Sequence, residues 1–280
     1  MQESARVTAD GIWTDVEAVR SQAPLVHNIT NYVVMNSTAN ALLAIGASPV
    51  MAHAVDEAAD MVGIAGALVV NIGTLSPHWV EAMHVAMRAA RDRSVPIVLD
   101  PVGAGATPYR TRTVHDLIAD VAPTIVRGNA SEIMALATAE ATTKGVDSSE
   151  EASSAVDAAT QLSRQLDAVV AVTGATDVIV DGDNQVQLGN GHPLMARVTG
   201  LGCTMSALSG AFAAVNPDPA LAAAHALVVG AIAGELAAEH AEGPGTLQLH
   251  LLDRLHDVSC EQIADRLRVS AATSGTSAPA

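Results

Sequence analysis

Ala67-Leu68-Val69-Val70-Asn71-Ile72, a helical stretch over 77–93, and Pro96-Ile97-Val98-Leu99-Asp100 decide the fold. The two flanking runs are apolar and of strand length, as buried parallel strands are. Pro77 opens the amphipathic pattern between them, at the helical position that tolerates proline. Strand, helix and returning strand make one βαβ unit.

The same alternation extends in both directions. Upstream, a short helix is expected over 13–20, a brief strand and turn over 24–31, and a helix over 32–44 that Thr30 or Asn31 would cap. Gly46 and Pro49 end that helix, a short strand over 50–52 carries Met51, and a helix follows over 56–64. Downstream come a helix over 114–122, a strand over 124–126, a helix over 131–138, a polar loop over 142–151, a helix over 151–166 and a strand over 168–173. Gly182-Asp183-Asn184 joins the strands of a hairpin, and helices to residue 215, over 219–240 and over 246–257 complete the pattern. The predicted class is α/β, with a largely parallel central sheet and helices on both faces. Residues 1–10 are expected to be a flexible N-terminus, 11–268 a single domain, and 269–280 a disordered tail.

Composition narrows the function. A 280-residue chain that is 49% hydrophobic but only 2% aromatic fills its core with aliphatic side chains. Its net charge of −16 steers nucleic acid and acidic membrane surfaces away, so neither is an expected partner. Two cysteines and no signal-like start point to the reducing cytoplasm. The apolar stretch over 220–238 is long enough to span a membrane, but His225 and Glu235 interrupt it, and a buried core helix is the better reading. Lys144 is the sole lysine and no Gly-x4-Gly-Lys motif exists, which excludes a P-loop and disfavours Schiff-base chemistry. The ten histidines show no metal-binding His-x3-His spacing, and Met205 stands where a dinucleotide fingerprint needs its third glycine.

In sheets of this class, ligands gather at the carboxyl ends of the strands. Those ends are polar here: Asp100-Pro101-Val102-Gly103, Arg127-Gly128-Asn129-Ala130-Ser131-Glu132, and Thr173-Gly174. Val198-Thr199-Gly200-Leu201-Gly202-Cys203 adds a glycine turn running into a helix, whose open N–H groups suit an anion. Cys203 at that helix start is expected to have a lowered thiol pKa. The set suits phosphoryl transfer from a nucleotide. Asp100, Asn129 and Glu132 can serve Mg²⁺, Arg127 can neutralise phosphate, the helix start at Gly202 to Thr204 can hold growing charge, and Cys203 or Asp100 can take a proton.

These motifs, with Val26-His27-Asn28-Ile29-Thr30-Asn31 and Gly46-Ala47-Ser48-Pro49-Val50-Met51, resemble in order the hydroxyethylthiazole kinase family of thiamine salvage. The resemblance implies a ribokinase-like fold without a separate lid, and a homotrimer with active sites between subunits. It also implies ATP-dependent, Mg²⁺-requiring phosphorylation of 4-methyl-5-(2-hydroxyethyl)thiazole. By matching motif, Met51, Gly200 and Asn28 would contact the thiazole, and Arg127, Thr173, Asn129 and Gly202 the ATP. Glu132 and Asp100 would organise the metal, while Cys203 would stand where related kinases place a catalytic aspartate. Leu201, between the two glycines, is bulkier than the family pattern suggests, and Met205 follows soon after; either bears on substrate fit. Three other readings stay open: a kinase for a pyrimidine or pyridine alcohol, a nucleotide-dependent dehydratase of the same fold, and a silent nucleotide-binding protein.

Overall fold

The computed structural model describes residues 7–137 and 148–271. Six strands run parallel: β1 (Leu25–Ile29), β2 (Ser48–Val50), β3 (Ala67–Asn71), β4 (Ile97–Asp100), β5 (Ile125–Asn129) and β6 (Val169–Thr173). β7 (Asp177–Asp181), β8 (Asn184–Leu188) and β9 (Val269–Ala271) continue the sheet antiparallel. The described strands lie in the order β2-β1-β3-β4-β5-β6-β7-β8-β9. Every residue of β3 and β4 is buried, as expected where helices cover both faces.

Two apolar cores result, one on each side of the sheet. The first is built with α1 (Ala9–Gln22), α2 (Met35–Ile45), α8 (Leu201–Ala213), α9 (Pro219–Ala238), α10 (Pro244–Asp257) and α11 (Cys260–Arg266). The second lies under α3 (Val55–Val62), α4 (Pro77–Arg93), α5 (Pro108–Asp120), α6 (Ala130–Ala137) and α7 (Ser148–Leu166). Three of these helices start with the same device, a capping side chain followed by proline. Ser76 accepts from the Trp79 N–H, Thr107 from that of Arg110, and Asp218 from those of Ala220 and Leu221. α9 is long and apolar enough to cross a membrane, yet 89% of its apolar window is buried inside the fold. It packs against α8, α10, β6 and β7, as a core helix does. No separate lid is present among the described residues.

Several boundaries differ from the sequence reading. Thr8 caps α1 by accepting from the Gly11 N–H, and Val7 is buried, so residues 7–10 belong to the folded body rather than to a flexible terminus. β9 pairs with β8, which places 269–271 in the sheet and not in a disordered tail. The rest of both expected termini, and most of the polar loop with Lys144, lie outside the described residues. α2 starts three residues later than expected and neither Thr30 nor Asn31 caps it: the cap position is Val34, with no side-chain bond. α11, opened by a capping box between Ser259 and Gln262, has no counterpart in the sequence reading.

Candidate active site

Side chains alternate across a strand, so a polar residue in the carboxyl half of each strand is assigned to one face. Asn28 shares the face of Val26, Asn71 that of Val69, Asp100 that of Val98, Arg127 that of Ile125, and Thr173 that of Ala171. All five of those apolar partners belong to the core beneath α8 and α9. The carboxyl ends of five adjacent parallel strands therefore send an unbroken polar row towards α8, in the spatial order Asn28, Asn71, Asp100, Arg127, Thr173. Met51, just past β2, sits at the outer end of this row.

α8 begins at Gly200, whose φ of +80° is a left-handed conformation that glycine adopts without strain. A Cβ there would run into the Val34 side chain. The Thr204 N–H already donates to the Gly200 carbonyl, at 2.9 Å. The open donors of this helix start are therefore those of Leu201, Gly202 and Cys203, one residue earlier than the expected Gly202–Thr204 set. A Cβ on Gly202 would lie 2.8 Å from Arg127 Nη1, so the guanidinium packs directly on the turn.

Asp100 is fully buried. Its Oδ2 accepts from Asn71 Nδ2 at 2.7 Å and from Ser206 Oγ at 2.8 Å, while Oδ1 has no hydrogen-bond partner. Burial pushes its pKa up from 3.8 to about 6, against the pull of Arg127, Ser206 and Asn71 and with a further push from Glu132. Asn71 Oδ1 accepts from Asn31 Nδ2 at 2.9 Å, and the same Asn31 nitrogen lies 3.4 Å from Cys203 Sγ. The expected lowering of the Cys203 pKa is corrected. Burial and the Asp100 carboxylate push it up to about 11, although bonds from Asn71 and Asn31 and the charge of Arg127 oppose them.

Arg127 Nη2 donates to Thr173 Oγ1 at 2.6 Å, and Thr173 Oγ1 donates on to the Gly128 carbonyl at 3.2 Å. Arg127 Nε is buried without a partner. Glu132, on α6, receives the N–H of Gly103 on Oε1 and that of Asn129 on Oε2, each at 2.9 Å. One carboxylate thereby ties the loop after β4 to the end of β5. Asn129 Oδ1 in turn accepts from Ser131 Oγ and the Glu132 N–H, so its oxygen caps α6. A cavity of about 790 Å³ opens between the α8 start and β6, lined by Arg127, Thr173, Gly200 and Gly202, with Met195 and Met205 beside them. Asp177, unremarked in the sequence, also lines it, and burial raises its pKa to about 6.

Asn28, Met51, Asp100, Cys203, Asn129 and Glu132 do not line that cavity. Asn28 is buried, with Nδ2 donating to the Val26 carbonyl and Oδ1 unpartnered. His27 Nε2 donates to the Ala52 carbonyl at 2.8 Å, which pins the segment carrying Met51 to β1. Burial holds the His27 pKa below its ordinary value, in keeping with a structural role. Sequence reasoning missed Asn31 as a site residue, Asn71, Ser206 and Asp177. Only Asn71 and Asp177 carried a signal, a polar residue at the edge of an apolar strand.

The hydroxyethylthiazole kinase family model matches residues 16–261. The chain belongs to the hydroxyethylthiazole kinase family. It is 60% identical over 267 residues to the hydroxyethylthiazole kinase of Syntrophus aciditrophicus, covering 95% of this chain and 99% of that one. It is 53% identical over 275 residues to that of Leptothrix cholodnii, covering 96% and 99%. The solved structure of the hydroxyethylthiazole kinase protein from Pyrococcus horikoshii OT3 superposes with a TM-score of 0.86 at 43% identity, covering 94% of this chain and 99% of that one. A Bacillus subtilis pyridoxal kinase, at a TM-score of 0.56 and 18% identity over 75% of this chain and 91% of that one, shares the fold alone. The architecture of this hydroxyethylthiazole kinase family member is ribokinase-like.

Proposed function

We propose that the chain transfers the γ-phosphoryl group of ATP to the hydroxyl of 4-methyl-5-(2-hydroxyethyl)thiazole. The observation that carries this reading, beyond family membership, is the order of the polar row. Met51 and Asn28 stand at its β2–β1 end, Arg127 and Thr173 at its β5–β6 end, and Asp100 on β4 between them. An acceptor at the first end and a triphosphate at the second would meet beside Asp100 and Cys203.

In this reading Arg127, Thr173 and the N–H groups of Gly202 and Cys203 hold phosphate oxygens, and Gly200 leaves room for the thiazole. The acceptor oxygen bonds to the γ-phosphorus as the bond to the β-phosphate oxygen breaks and ADP leaves. Asp100 takes the hydroxyl proton; a carboxyl titrating at about 6 is ionised at neutral pH yet basic enough to accept one. The Cys203 thiol, kept protonated, positions the hydroxyl rather than deprotonating it.

No three His, Cys, Asp or Glu side chains form a metal cage among the described residues. That suits Mg²⁺, which takes one or two carboxylates and arrives with nucleotide phosphates. The donor set fits: Asp100 has a buried, unpartnered oxygen, and each Glu132 oxygen keeps a lone pair beyond its backbone bond. Glu132 would hold the ion, directly or through water, with the Asn129 amide nearby, and Asp100 would reach it only through a water, which leaves its Oδ1 to the acceptor hydroxyl. Bound there, the ion would neutralise the phosphate charge that one arginine leaves uncovered.

The same reading makes the enzyme cytoplasmic, in keeping with its two free cysteines. It also makes the assembly a homotrimer; the exposed Tyr32, Val33 and Leu43, on and before α2, are surface that a neighbouring subunit would cover. The test is ADP release with Mg²⁺ and ATP, with the thiazole, with a pyrimidine alcohol, and with neither. Release with the thiazole alone is expected. Release with the pyrimidine alcohol instead reassigns the acceptor, and no release with either returns the weight to a dehydratase or a silent binder.

A further inference from the structure

Two buried amides outside the assigned site connect its two central groups. Asn31 Nδ2 reaches both Cys203 Sγ and Asn71 Oδ1, and Asn71 Nδ2 reaches Asp100 Oδ2. Backbone donors fix the direction of both amides. The Val33 N–H donates to Asn31 Oδ1 at 3.1 Å, and the Gly73 N–H donates to Asn71 Oδ1 at 2.9 Å. Neither amide can turn over without setting an N–H against an N–H. Gly73 also admits Asn31 by its size, since a Cβ there would lie 2.5 Å from Asn31 Nδ2 and 2.8 Å from its Cγ. Ser206 closes the far end by donating to the same Asp100 oxygen that Asn71 engages.

We propose that Asn31 and Asn71, with Gly73 making the space, are a positioning relay that occupies Asp100 Oδ2 and presents Asp100 Oδ1 and Cys203 to the acceptor as one rigid unit. With two donors on Oδ2, rotation of the carboxylate would break two bonds at once, and the unpartnered Oδ1 is the oxygen left to the reaction. The relay touches neither the nucleotide end of the row nor Met51, so it bears on the transfer step rather than on binding. It rests on the reading of Asp100 as the group that takes the acceptor's proton.

The test uses the full-length chain with Asn71→Leu, Asn31→Ala and Gly73→Ala. Each single variant is expected to lower kcat about ten- to hundredfold, with KM for ATP and for the thiazole within about twofold of the parent. Crystal structures of the parent and Asn71→Leu should show the Asp100 carboxylate turned only in the variant. That readout stands even if the parent proves not to use the thiazole, which would be seen as no ADP release by the parent itself. An unchanged kcat in Asn31→Ala, or an Asp100 carboxylate that keeps its orientation in Asn71→Leu, overturns the relay. If Asn71→Leu does not fold, Gly73→Ala, which removes no polar atom, decides the matter by the same kcat and KM readings.

Discussion

Replacing Asp100 by asparagine should make the protein more stable while it disables it, and the gain should depend on pH. Asp100 is fully buried, and its pKa is raised from 3.8 to about 6, chiefly by burial. A raised carboxyl pKa means that the fold holds a proton which the unfolded chain has already released. Below about pH 4 both states are protonated and nothing is lost. As the pH climbs from about 4 to about 6 the parent loses stability, and above that the full cost remains, about 3 kcal/mol for this gap. Asparagine keeps an oxygen for the Asn71 and Ser206 donors and carries no charge. The stability difference between Asp100→Asn and the parent should therefore grow by about 3 kcal/mol between about pH 4 and about pH 7.5. Asp177 titrates in the same window but is present in both proteins and cancels. The assay is urea unfolding without ligands at fixed protein concentration, since any subunit contacts would make stability concentration-dependent. A difference that stays flat with pH, or a variant less stable than the parent at neutral pH, would refute the reasoning.

Cys203→Asp should keep or improve turnover, because a thiol pushed up to about 11 is not the working base; a loss of kcat as deep as that of Asp100→Ala would place the base at Cys203 after all. Gly202→Ala should raise KM for ATP about tenfold or more with little change in melting temperature, since the new methyl displaces the Arg127 guanidinium from its seat against the turn. Gly234→Ala should act at the other wall of the cavity. Its Cβ would collide with the Met195 side chain and drive it into the space lined by Leu227 and Ala231, so direct calorimetric ATP binding should weaken severalfold while KM for the acceptor holds.

Much of this was legible in the residues because the strands announce themselves twice, by an apolar run and by the polar residue that ends it. Asp100, Arg127 and Thr173 were found in this way. Asn71 escaped because Ile72 follows it, so the run reads as apolar to its end although the strand stops one residue sooner. Asn31 was read as a cap, the commonest use of an asparagine before a helix. Its side chain instead reaches Asn71 on β3, a partner that only the pairing of β1 with β3 brings near. Ser206 lies inside an apolar helix and gives no local sign that it faces a carboxylate. The Cys203 expectation failed for a related reason: helix position is visible in a sequence, whereas the loss of water around a thiol is a property of the packed structure. The three residues of β9 were too short a run to read as a strand and look like the start of a polar tail.

The alternation that builds the polar row also guards it. If any one of β1, β3, β4, β5 or β6 slipped by a single residue, its terminal amide, hydroxyl or charge would swing through the sheet into the opposite layer, among the aliphatic side chains beneath α3 to α7. Such a chain would bury an unpaired polar group and lose a member of the site in the same event. Under the proposed assignment of the site, catalytic competence thus doubles as a certificate of correct strand pairing, because a slipped strand is penalised by the same group that the reaction would lose.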